Sequence, residues 1–204
     1  MRGFSDDERE RIREELVRSG REALLAYGPG KTTVEDITDP VGIAKSTFYR
    51  FFDSKDELYL EVIQVEFEEY RADVEADLDE TDDPREALTM LFRRYVDFAE
   101  GNPLIQQVVL QNKYREAFLA DAREELEAIQ RQRMSDFAPL IERLKSAAGP
   151  PLSTYETPTI LGMMSVLGLL VLHREEYEIY EESYYETVKE ALIETLVYGL
   201  TAER

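Results

Sequence analysis

The chain has 204 residues, with 44 Asp+Glu against 24 Lys+Arg, a formal net charge of −20, a single His and no Cys. That length allows one large domain or two smaller ones with a real core, and 43% hydrophobic residues exclude a disordered chain. Apolar runs fall short of the ~18 residues of a membrane span, the polar opening MRGFSDDERERIREE predicts no secretory signal, and the lack of Cys rules out disulfide and thiolate chemistry, so a cytoplasmic location without membrane contact is expected.

The charge is patterned. Only 6 of the 24 basic residues are Lys, and an acidic, Lys-poor surface suggests adaptation to high salt, where dense carboxylates keep a protein soluble. Residues 1–60 hold 13 acidic and 10 basic side chains, net −3, whereas residues 61–204 hold 31 and 14, net −17. The N-terminal part is spared the acidity, as a segment that meets a polyanion would be.

In chain order, nearly every segment reads as helix. Ser5-Asp6-Asp7-Glu8 is a capping box opening a first helix, on which Ile12, Leu16, Gly20, Ala23 and Tyr27 form one stripe. Gly20 marks a close approach of a neighbour. Gly28-Pro29-Gly30 ends the helix. A second, short helix begins at Thr32 or Thr33, where Thr32 and Glu35 make a capping box, and it buries Val34 and Ile37. Gly42 supplies a left-handed turn. A third short helix spans about 45–52 with Phe48 and Phe52 inward, and a fourth opens at Ser54-Lys55-Asp56-Glu57 with Leu58, Val62 and Val65 apolar. Helix, glycine turn and short helix inside a three-helix unit form a helix-turn-helix pattern.

The remainder reads as a larger helical array. A helix runs from Asp82-Asp83-Pro84 to Glu100, a short apolar one follows Pro103, and a long charged one spans about 115–148. An apolar segment covers Pro158 to His173, and a last helix runs from about Glu182 to Leu200 with Val188, Leu192, Leu196 and Leu200 four apart. The expected fold class is all-α: an N-terminal helix-turn-helix domain, residues 1–56, followed by a larger helical domain, residues 57–204.

The segment GIAKSTFYRFF, residues 42–52, carries cations, hydroxyls and no carboxylate. With Phe48 and Phe52 inward, Lys45, Ser46, Thr47, Tyr49 and Arg50 lie outward, suited to phosphates and base edges of double-stranded DNA. Thr33 and Lys55 open the flanking helices and are placed to pin the backbone on either side. The bland alternatives are a protein-docking three-helix unit, Tyr49 as a half-buried core residue and Lys55 as a solvated first-turn residue.

The series Thr32-Thr33-Val34-Glu35-Asp36-Ile37, Val41 to Phe52 and Ser54-Lys55-Asp56-Glu57-Leu58 resembles the DNA-binding domain of the TetR family of transcriptional repressors, over about residues 8–62. The resemblance implies a homodimer whose third helix enters the major groove of a palindromic operator, and a C-terminal domain that binds a small-molecule effector and dimerises through its last two helices. It places Thr33, Tyr49 and Lys55 on phosphate-contacting positions, and Lys45, Ser46, Thr47 and Arg50 on or beside base-reading ones. Three departures stand out. Pro40 must shorten or bend the second helix, Ala44 forgoes a cap worth roughly 1 kcal/mol, and Phe51 replaces a common His or Tyr. Glu35, Asp36 and Asp39 bring carboxylates near the expected phosphates, which blunts the usual salt dependence.

In the C-terminal domain, Phe92, Tyr95, Phe98, Tyr114, Phe118, Met134, Phe137, Met163 and Met164 are candidates for an effector cavity, with plain core as the bland alternative. A nearly all-apolar helix must be buried, so Leu161, Gly162, Ser165, Leu169, Leu192 and Leu196 are assigned to a dimer interface. His173 is expected at a helix end or dimer seam. No cofactor motif is present, and one His without Cys argues against a transition-metal site. Two other function classes stay open: a helical adaptor that acts through protein contacts without DNA, and an acidic helical metalloenzyme.

Overall fold

The computed structural model describes residues 5–106, 120–179, 181 and 183–202, and among them every regular element is a helix. In order these are α1 (Asp6–Tyr27), α2 (Val34–Val41), α3 (Lys45–Phe48), α4 (Lys55–Leu78), α5 (Pro84–Gly101), α6 (Pro103–Ile105), α7 (Ala120–Ala148), α8 (Thr157–Leu172), α9 (Arg174–Glu178) and α10 (Tyr184–Thr201), with a 3-10 turn at Leu152–Thr154. The chain divides into two compact units, residues 1–67 with 112–129, and residues 68–111 with 130–204.

In the first unit, Ser5 caps α1 by accepting from the Glu8 amide at 3.3 Å. Gly28, at φ 75°, closes the helix with its amide on the Leu24 carbonyl. Gly20 answers the close approach: a Cβ there would lie 2.5 Å from Cδ2 of Leu58, so any larger residue would force that buried side chain to shift. Buried Ser19 donates to the Ile37 carbonyl at 2.7 Å and ties α1 to α2. The core holds Leu16, Ile37, Phe48, Phe52 and Leu58, each with 1% exposure or less.

Four details differ from the sequence-based expectation. The cap of α2 is Thr33 with Asp36: the Asp36 amide donates to Thr33 Oγ1 at 3.2 Å and the Thr33 amide to Asp36 Oδ2 at 2.8 Å. Thr32 is instead buried, its hydroxyl on the Gly28 carbonyl at 2.7 Å, because the chain needs a donor there to close the turn. Tyr27, the last residue of α1, is 57% exposed and does not continue the buried stripe. The third helix keeps α geometry only over Lys45–Phe48, and Arg50 and Phe51 continue with tighter bonds to Thr47 and Phe48 carbonyls at 3.0 and 2.9 Å. Pro40 sits next to last in α2, where it removes one backbone bond of the helix, and α2 ends a residue later before Gly42 turns at φ 73°.

In the second unit, Asp83 caps α5 from the Arg85 amide at 2.9 Å, with Pro84 in the first turn. α5 buries Leu88, Leu91, Phe92 and Val96 and packs against α8 and α10. A partly buried polar cluster fastens α10 to the end of α5: the Tyr185 hydroxyl donates to Glu100, and Lys189 Nζ lies 3.3 Å from Glu100 and 2.6 Å from Glu186. The inward stripe of α10 is therefore Tyr185, Lys189, Ile193, Val197 and Leu200, one position on from the expected Val188–Leu192–Leu196 stripe, whose members are only half-buried. Leu200 alone belongs to both. The end of the expected long charged helix before Ala120, and Glu182 at the start of the last, lie outside the described residues.

Candidate nucleic-acid interface

α3 is too short to persist on its own, and its position is set from three sides. Phe48 is fully buried, 5.6 Å ring to ring from Phe52 and edge-on to Tyr49 at 5.3 Å. Phe51 is buried as well. From α1, Arg9 Nη2 donates to the Arg50 carbonyl at 3.1 Å and Arg13 Nη1 to the Phe51 carbonyl at 3.0 Å. Their guanidinium groups also sit over the Phe51 and Phe52 rings at 5.3 and 4.5 Å. Arg13 reaches Glu61 of α4 at 2.8 Å. Two arginines thus satisfy carbonyls that a helix end leaves open. Sequence reasoning missed them, although Arg9 and Arg13 lie four apart on one face of α1.

Around that anchor, Lys45, Ser46, Tyr49 and Arg50 are exposed and Thr47 is half-buried. Ala44 precedes α3 without a side-chain cap. Three of the candidate DNA contacts are engaged inside the protein. Lys45 Nζ lies 3.0 and 3.3 Å from the two Glu35 oxygens. The Thr33 hydroxyl donates to Asp36 at 2.7 Å, and Lys55 Nζ donates to the Thr32 carbonyl. The Lys45 hydrogen bond holds the Glu35 carboxyl below its ordinary pKa, and Glu35 in turn raises that of Lys45. Bonds from Thr33 lower Asp36 likewise.

The effector candidates scatter. Phe92 is fully buried on α5, Met164 is buried, and Tyr95, Phe98 and Met163 are half-buried. Phe98 and Phe137 are brought together by Tyr70 of α4, whose ring stacks on them at 4.4 and 5.4 Å. Tyr70 was not anticipated. Its hydroxyl is buried without a hydrogen-bond partner, and that burial pushes its pKa up. Tyr114 and Phe118, and the side chain of Met134, lie outside the described residues.

On the other candidate surface, Gly162, Ser165 and Leu169 of α8 are exposed and Leu161, Leu192 and Leu196 half-buried. Leu169 is 55% and Val166 48% exposed, and with Val188, Leu192 and His173 they line an open groove among α8, α9 and α10. His173 follows α8, with Nδ1 2.9 Å from Glu176. Among the described residues no three His, Asp or Glu side chains converge as a metal site, and no helix is long and apolar enough to cross a membrane.

A short helix anchored by buried aromatics after a left-handed Gly turn, with cations and hydroxyls exposed on it, is the head of a helix-turn-helix protein. Residues 16–62 match the family described as bacterial regulatory proteins, tetR family. The chain is 28% identical over 106 residues to the HTH-type transcriptional activator FasR of Mycolicibacterium smegmatis (52% of this chain, 48% of that one). It is 36% identical over 83 residues to the HTH-type transcriptional regulator TcmR of Streptomyces glaucescens (41% and 36%). The matches thus span about half or less of these relatives. Among solved structures, the fatty acid degradation regulator FadR from Bacillus halodurans superposes with a TM-score of 0.67 at 13% identity over 100% of both chains. The transcriptional regulator FadR from Bacillus subtilis, in complex with stearoyl-CoA, gives 0.65 at 16% over 92% of this chain and 98% of that one. At such identities the likeness establishes the fold.

Proposed function

We propose that the chain is a transcriptional regulator whose residues 1–56 read a palindromic DNA duplex, and whose residues 57–204 bind a small-molecule effector and pair two copies of the chain. The observation that carries this reading is the two-sidedness of α3: Phe48 is wholly buried while Lys45, Ser46, Tyr49 and Arg50 face solvent. Arg50 and Lys45 read bases or phosphates, and Ser46 and Thr47 add hydroxyl contacts. Effector and DNA then weaken each other reciprocally, so the protein represses until the effector arrives.

For the effector, the Tyr70–Phe98–Phe137 stack supports an apolar compound, and the unpartnered Tyr70 hydroxyl supports one that carries an acceptor oxygen. A structural neighbour bound to stearoyl-CoA makes long-chain acyl-CoA the first class to try. Tyr70→Phe removes a buried hydroxyl that has no partner, so urea unfolding should show stability unchanged or raised by up to about 1 kcal/mol. Calorimetry should show weaker acyl-CoA binding. A clear loss of stability would mean the hydroxyl is paired.

Selection of bound duplexes from a random pool, at KCl from dilute to molar, tests the function. An enriched palindrome is expected, and Arg50→Ala should relax the sequence preference. The adaptor reading is favoured by one observation: Lys45, Thr33 and Lys55 are already engaged within the protein. Absence of selective binding at every KCl concentration would select that reading.

A further inference from the structure

We infer that Glu35 acts as an internal substitute for a DNA phosphate, holding Lys45 until duplex displaces it and thereby setting the affinity and salt response of the head; this rests on the DNA-binding reading above. The geometry is specific. Glu35 lies in the first turn of α2 and Lys45 is the first residue of α3, and the left-handed turn at Gly42 folds the two helices so that Nζ meets both carboxylate oxygens, at 3.0 and 3.3 Å. Phosphate presents a cation with the same arrangement of two anionic oxygens. Both side chains are about half exposed, 52% for Lys45 and 53% for Glu35, so the pair stands in solvent where duplex can reach it. The mutual hydrogen bond favours the charged form of each, lowering the pKa of Glu35 and raising that of Lys45.

Asp36, next in sequence, is differently employed, because it closes the cap with Thr33. Glu35 is outside that Thr33–Asp36 pair, so its exchange for phosphate leaves the capping box intact.

Two outcomes face an approaching phosphate. If Lys45 stays on Glu35, it neutralises no phosphate and releases no counterion. If Lys45 moves, a bare carboxylate is left beside the polyanion. Either way the head binds with less affinity at low salt, and with a shallower salt slope, than its cations alone would give. The repulsion shrinks as salt rises, because the screening length falls to about 3 Å at 1 M. A chain of net charge −20 with this pair is suited to bind DNA in concentrated salt.

Fluorescence anisotropy of the full chain with a random-sequence duplex, titrated across KCl concentrations, tests the inference with Glu35→Gln, Lys45→Gln and the double variant. Glu35→Gln should tighten binding at low salt by roughly three- to tenfold and steepen the slope of log K against log[KCl] by about 0.9, the increment of one phosphate contact. In the Lys45→Gln background, Glu35→Gln should change the slope by clearly less, because only the repulsion of the carboxylate by the duplex is left to relieve. No change from Glu35→Gln, or an equal change with and without Lys45, overturns the inference while leaving DNA binding intact. Binding by Glu35→Gln where the unaltered chain shows none supports it in its strongest form. Binding by neither protein at any KCl concentration overturns the DNA-binding reading, and this one with it.

Discussion

Replacing Phe48 with Ala is expected to destabilise the N-terminal unit by about 3–5 kcal/mol, the range for emptying a buried aromatic site. Phe48 has no solvent exposure and contacts the Phe52 and Tyr49 rings at 5.6 and 5.3 Å. α3 has only four residues, so its own hydrogen bonds hold it weakly and the Phe48 anchor supplies the rest. Denaturant unfolding followed by circular dichroism reads the loss, and duplex binding should disappear with it. The neighbouring exposed Ser46→Ala should stay within about 0.5 kcal/mol, as surface changes do. A Phe48→Ala loss below 1 kcal/mol would show that the carbonyl clamps from Arg9 and Arg13 fix α3 without the aromatic anchor.

Leu169→Glu is expected to convert a dimer into a monomer. Leu169 is 55% exposed on α8, a helix whose sequence is apolar almost all round, and Val166 beside it is 48% exposed. On the proposed dimer this apolar face pairs with a second copy of itself, which satisfies two-fold symmetry. A carboxylate at its centre would be buried unpaired. Sedimentation should show the change of mass. Affinity for a palindromic duplex should fall roughly 100-fold or more, because the second half-site loses the effective concentration that linkage provides. The fold should survive, since Leu169 contributes little to the core of its own chain. An unchanged dimer would remove this face from the interface.

Helix order and most boundaries were legible in the chain, because caps and breakers act locally. Ser5 before α1, Asp83-Pro84 before α5, Gly28 and Gly42 after α1 and α2 each work through a neighbour within four residues. Gly20 was legible too, since a glycine in a helical apolar stripe implies a close neighbour, though Leu58 as that neighbour was not. The choice between Thr32 and Thr33 as cap was not legible. Both hydroxyls suit the role, and the Gly28 turn draws one of them inward.

Residue types and local spacing therefore determined by themselves that this protein is all-helical, that Phe48 and Phe52 face inward, and that the segment after Gly42 offers cations and hydroxyls outward. Tertiary structure alone decided which partners those groups meet: Arg9 and Arg13 on the carbonyls closing α3, Glu35 on Lys45, Tyr70 between Phe98 and Phe137, and the stripe of α10 that turns inward. The physical reason is range. Capping, turn conformation and periodicity are settled within a few residues, whereas these contacts join positions that only the folded chain brings within bonding distance.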